Sequence, residues 1–139
     1  MKKTILYFFL IAPAMAGAQN ILTQNTDWST SKTFEISTGK MSLEPNKVVT
    51  YKSDKIEWLD VRGTLKLSLP IKSTTGSWAD IKSAGEMVYQ VQVGTGAKVK
   101  VGTVTIRKNG TGTTIKFVLP GEQGPPVFWE LTVESTKTR

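Results

Sequence analysis

A chain of 139 residues with 18 Lys and Arg against 11 Asp and Glu, a formal charge of +7, is long enough for one domain with a real core and too short for two. It has no cysteine, which excludes a disulfide framework, and no histidine, which removes the commonest general base together with the commonest metal ligand. No residue is therefore assigned to catalysis, to a metal or to a cofactor.

The first eighteen residues read as an export signal. Lys2 and Lys3 give a positive start, Ile5 to Ala12 an apolar stretch that Pro13 ends, and Ala16-Gly17-Ala18 the small-x-small pattern of a cleavage site before Gln19. The ending resembles that of bacterial signal peptides. The apolar stretch falls short of the ~20 residues that cross a bilayer. The expectation is thus a mature chain without a membrane span, a single domain over residues 19–139, located in the periplasm or outside the cell. Loss of Lys2 and Lys3 leaves sixteen basic and eleven acidic residues, a net charge of +5. Such a charge suits acidic polymers or anionic membranes and is also ordinary for a soluble protein.

After a polar lead-in over Asn20 to Asp27, Ser29-Thr30-Ser31-Lys32 matches the S-x-x-K spacing of a serine activated by lysine. That chemistry needs a helix, and the strand pattern that follows throws the two side chains to opposite faces. Short strands are expected at Phe34–Ile36, Met41–Leu43 and Val48–Tyr51, the last two joined through Glu44-Pro45-Asn46-Lys47 as a type I turn. The run from Leu59 to Ile71 alternates apolar and polar residues and predicts one strand, with a bulge or bend at Gly63. Ser77-Trp78-Ala79-Asp80 carries the chain's one helix signal, a capping serine three residues before a carboxylate. Alternation returns at Met87–Val93 and Val127–Val133.

Two glycine-rich runs, Gly94-Thr95-Gly96-Ala97-Lys98 and Asn109-Gly110-Thr111-Gly112, resemble phosphate loops only in letters. A phosphate loop must lead into a helix N-terminus, and here strands follow. Asn109-Gly110 predicts a two-residue hairpin in which Val104 faces Ile115 and Ile106 faces Thr113, with the apolar residues of both arms on one face. The apolar parity changes near Gly102, which predicts a β-bulge. Asn109-Gly110-Thr111 also matches a glycosylation sequon, read here as the turn itself. The whole predicts an all-β protein: a single antiparallel β-sandwich or short β-barrel of about eight strands, with at most one short helical turn near residues 77–83.

Two groups of residues are candidates for binding. The bulge parity gathers Lys98, Lys100, Arg107 and Lys116 on one Thr-rich sheet face without an acid among them. Trp28, Trp58 and Trp78 sit off the main apolar parity, suited to stacking on sugars or to plugging a barrel end, the latter expected for at least two of them; Trp129 follows core parity. Glu57, Asp60, Glu130 and Glu134 could serve hydrolysis only if two of them met in a cleft. The reading that follows is an exported, non-enzymatic binding or adhesion module that contacts a glycan or an anionic polymer. Nucleic acid is excluded because no aromatic residues interleave with the cations. The alternatives are a carrier closed around an apolar small ligand in the manner of a lipocalin barrel, and a secreted hydrolase or hydrolase inhibitor. Export is checked by mass spectrometry of the protein from its host: the mature chain is expected to begin at Gln19, and a membrane-held chain beginning at Met1 would refute it.

Overall fold

The computed structural model describes residues 21–121 and 123–139, so the export signal lies outside the described residues. Nine strands form one antiparallel sheet: β1 (Asn25–Glu35), β2 (Lys40–Ser42), β3 (Asn46–Tyr51), β4 (Lys55–Leu59), β5 (Leu65–Ser77), β6 (Gly85–Val93), β7 (Lys100–Asn109), β8 (Gly112–Leu119) and β9 (Val127–Thr138). Each of β3 to β9 pairs with the next, and β9 pairs with β1 along nearly its whole length, from Thr26↔Thr138 to Glu35↔Trp129. The result is a closed eight-stranded barrel with β2 as an addition. All-β architecture was the expectation, and the barrel is its realised form.

β1 begins well before the expected Phe34 and takes in the end of the polar lead-in from Asn25. Ile21 is buried, as are Thr26, Trp28 and Thr30 along β1. Alternation was hidden there because two of the three inward residues are threonines, whose β-branched side chains fit a strand without signalling a core.

Three local expectations are corrected. Glu44-Pro45-Asn46-Lys47 does not reverse the chain. β2 and β3 run in the same direction along one edge of β1, with Thr33↔Ser42 followed by Thr30↔Asn46, so residues 43–45 are one residue longer than the stretch they face. The run from Leu59 to Ile71 is two strands. Asp60 Oδ1 accepts hydrogen bonds from Arg62 N (2.9 Å) and Thr64 N (3.0 Å), closing a turn at Gly63 (φ +80°) between β4 and β5. The β7–β8 hairpin keeps the expected faces but shifts by two residues: Val104 faces Phe117 and Ile106 faces Ile115. A type I′ turn would need a positive φ at Asn109, and among the described non-glycine residues only Lys52 has one. Instead Asn109 Oδ1 accepts from Thr111 N (2.9 Å), and the turn centres on Gly110-Thr111. A slip of two preserves parity, which is why the faces survive it.

No bulge exists at Gly102. β6 and β7 pair without a shift from Gly85↔Lys108 to Val93↔Lys100. Val99 and Val101 are simply exposed, while a Cβ on Gly102 would lie 2.8 Å from Leu119 Cδ2. The glycine is there for closeness of packing. The one 3₁₀ turn among the described residues, Gly96–Lys98, lies in this β6–β7 loop and not at residues 77–83, where Asp80 instead caps a plain turn through Lys82 N (3.0 Å).

The barrel interior is filled. Met87, Tyr89, Val104, Ile106, Phe117 and Leu131 have no accessible surface, so no water-sized space lies beside them. Two ends differ. The plugged end carries residues 52–54, 78–84 and 110–111, and Trp78 and Ile81 pack there into the core beside Trp28. The hairpin end carries the β1–β2 hairpin, the β4–β5 turn, and the β6–β7 and β8–β9 loops.

Tyr89 Oη is buried with no hydrogen-bond partner among the described residues, and burial pushes its phenol upward from the ordinary value of 10.0. A buried donor without a partner costs desolvation, so Tyr89→Phe is expected to stabilise the fold by about 1 kcal/mol in urea melts near neutrality. The sign with pH follows. Above pH 10.0 the unfolded chain releases this proton and the folded chain holds it, so the wild type loses stability as pH rises further and the variant loses less. Tyr51, raised by its hydrogen bond to Glu57 and then by burial, is common to both proteins and cancels in the comparison.

Candidate functional site

The displaced segment 43–45 has a consequence at the hairpin end. β4 pairs with β3 only as far as Lys47↔Leu59, and no described strand pairs with the outer edge of β2. The barrel wall therefore opens between β2 and the β4–β5 hairpin. The opening is a cleft of about 430 Å³ whose lining includes Trp58, Trp129 and Leu67, with Glu35, Glu44, Asn46, Lys40 and Lys66 around them.

Its floor is aromatic. Trp58 stacks on Phe117 (5.3 Å between ring centroids, 28° between planes) and meets Trp129 edge to face (5.4 Å, 83°). The ammonium of Lys66 stands 5.2 Å from the centre of the Trp58 ring. Trp58 is 6% exposed, and its Nε1 donor has no partner among the described residues. Asn46 is held by its own amide, which donates to Glu44 O (3.0 Å) and, at 3.5 Å, to Thr33 Oγ1. The cleft thus combines apolar ring surface with two lysines and two glutamates in its lining, while the unpartnered Trp58 Nε1 is itself buried.

The four cations named from the sequence do not form one acid-free face. Without a bulge at Gly102, Lys100 falls on the opposite parity from Arg107. Lys98 and Lys100 line a separate groove with the β8–β9 loop, where Lys100 Nζ donates to Gly121 O (2.9 Å). Arg107 lies 3.7 Å from Glu86, its cross-strand neighbour, and Lys116 sits opposite Glu130. Acids answer both remaining cations. Cross-strand neighbours could not be assigned from parity alone, since the pairing of β6 with β7 and of β8 with β9 is tertiary.

The three tryptophans also separate. Trp28 and Trp78 pack together in the core (5.8 Å), and their indoles donate to Thr50 Oγ1 (3.1 Å) and Ser83 O (3.0 Å). Both are structural. Trp58 alone of the three reaches a cleft, and it is joined there by Trp129, which is half-buried rather than fully in the core. Sequence reasoning passed over Trp129, Asn46, Glu35 and Glu44. The signal for Trp129 was its place two residues into β9, beside the glycine- and proline-rich loop over 120–126, where a strand residue of core parity reaches the barrel rim.

Of the carboxylates considered for hydrolysis, Glu57 lies 3.6 Å from Lys55, and Glu130 is opposite Lys116. Asp60 and Glu134 do line a common groove, but one oxygen of Asp60 is already held by two backbone N–H groups. Among the described residues, no three acidic side chains are grouped to hold a metal ion. Comparison with protein-family models, with curated proteins and with solved structures finds no match to this chain.

The contrast among the tryptophans is measurable. Trp28, Trp58 and Trp78 are between 1% and 6% exposed, so Trp129 is expected to dominate quenching of the intrinsic fluorescence by acrylamide. Trp129→Phe should remove more than half of the quenchable emission; an unchanged quenching curve would contradict the placement.

Proposed function

We propose that the protein is an exported, non-enzymatic carbohydrate-binding module, with its sugar seated in the Trp58–Trp129 cleft. The observation that carries this reading is the edge-to-face pair of Trp58 and Trp129 at 5.4 Å on the floor of a cleft rimmed by amide, ammonium and carboxylate groups. A sugar ring offers both complements: an apolar C–H face for the half-buried Trp129 ring, and hydroxyls for the amide and charged groups at the rim. The cleft volume falls within the range of about 300–1,000 Å³ usual for small-ligand sites. Its two lysines and two glutamates balance in sign, which supports a neutral glycan over an acidic polymer. The filled interior lends no support to a carrier with an enclosed apolar ligand.

Glu35 and Glu44 line the same cleft, and that is the one observation on the side of a glycosidase, whose chemistry requires two carboxylates. The two readings part in a single experiment. A glycan array followed by calorimetry is expected to find a neutral oligosaccharide bound without turnover. Trp129→Ala should weaken it by tenfold or more, about 1.4 kcal/mol, in a variant confirmed as folded by circular dichroism, since Trp129 also packs against the core. Release of reducing sugar that Glu35→Gln abolishes would replace the module by a hydrolase; no bound glycan on the array would remove the reading altogether.

A further inference from the structure

The exposed apolar residues are not scattered. Seven large apolar side chains are exposed among the described residues, and every one belongs to the hairpin end or the wall beside it. Ile36, Met41 and Leu43 project from the β1–β2 hairpin and the segment after it, Leu43 being 74% exposed. Val61 and Leu65 flank the β4–β5 turn, and Val99 and Val101 flank the start of β7. Among the described residues the plugged end has none.

Cations are interleaved with them. Lys40 precedes Met41, Arg62 follows Val61, Lys66 follows Leu65, and Val99 lies between Lys98 and Lys100. Lys40, Arg62, Lys66 and Lys98 are all exposed. The described acids of this end are Glu35, Glu44, Asp60, Glu130 and Glu134; Asp60 is engaged in its own turn, Glu130 lies opposite Lys116, and Glu134 shares a groove with Arg62.

We propose that the hairpin end docks on an anionic lipid bilayer, with the apolar tips entering the headgroup–acyl boundary and the neighbouring cations meeting lipid phosphates. Exposed apolar groups in separate loops around one rim can all reach a plane at once, whereas a concave partner would have to match each loop. Lysine is depleted from protein–protein interfaces, yet here it alternates with the apolar tips. Apolar insertion combined with attraction of Lys and Arg to anionic headgroups is the physics of interfacial membrane binding. The charge complementarity selects a lipid surface over a second copy of this chain, whose same end would present the same positive sign.

The proposal does not rest on the glycan reading, because bare phospholipid vesicles carry no sugar. The test is co-sedimentation of the full mature chain with vesicles of phosphatidylglycerol or of phosphatidylcholine. Binding to the anionic vesicles is expected to be tenfold or more the stronger and to weaken as salt rises from about 0.1 M. Combined Leu43→Ser, Val61→Ser and Val99→Ser should abolish it, and Arg62→Gln with Lys98→Gln should cut it severalfold. None of these residues lines the Trp58–Trp129 cleft. Lys82→Gln with Lys137→Gln, which removes the same charge elsewhere, should leave binding intact. Equal loss in that control would reduce the effect to net charge and overturn the proposal, as would absence of sedimentation with either vesicle. Reversible self-association without vesicles, abolished by the triple serine variant, would instead assign this end to a second copy.

Discussion

Closure between β1 and β9 is the constraint on which the rest depends. The two strands lie about a hundred residues apart in the chain and pair from Thr26↔Thr138 to Glu35↔Trp129. Until they meet, the sheet has two open edges and its inner face is half solvated; once they meet, the edges are consumed and the interior becomes dry. On the outer side the junction is clasped by Arg139, whose guanidinium lies 3.0 Å from Asp27 Oδ1 and 3.1 Å from Oδ2. Lys47 adds a more distant cation at 3.9 Å. The guanidinium is about half exposed, so solvent screens the pair, and its effect is on register more than on stability.

β1 also shows why closure leaves a mouth. One of its edges belongs to β9 throughout, but the other is shared between β3 and β2, which are in line and separated by residues 43–45. That segment is kept out of the ladder by local bonds: Glu44 N donates to Ser42 Oγ (3.2 Å), and the Asn46 amide donates to Glu44 O (3.0 Å). Proline at position 45 has no N–H to offer a ladder. The consequence is geometric. β2 cannot carry the wall on to β4, and the aromatic pair at that point is left with an accessible side.

The two ends are built on opposite principles. At the plugged end, residues 78–84 fold over the barrel, with Trp78 donating to Ser83 O and Lys108 Nζ to Lys82 O (2.9 Å). Gly85 lies against the Trp78 ring so closely that a Cβ would collide with it. Packing is close there, although the buried side-chain oxygens of Gln24 and Thr26 have no hydrogen-bond partner among the described residues. The hairpin end instead keeps the aromatic cleft, the unused Trp58 donor and the exposed apolar tips. The features on which the proposed binding rests thus gather at the end whose loops contribute least to the core, as expected when a rigid scaffold carries functional loops.

The sequence by itself determined the class of fold, because alternation in β6, β8 and β9 can be satisfied only by strands with one dry face. It also determined that the glycine runs are turns, since neither leads into a helix, and which side of the β7–β8 hairpin is buried, since parity survives a slip of two. It did not determine registers, because a side-chain capping bond such as Asn109 to Thr111 competes with the turn that the dipeptide favours. Nor could it distinguish a turn from a bulge at Gly63, where the decision lies in the bonds made by Asp60. The tertiary structure alone decided which tryptophans serve the core and which meet a cleft, and which cations face acids. Those properties belong to pairs of strands that are remote in the chain and are brought side by side only when the barrel closes.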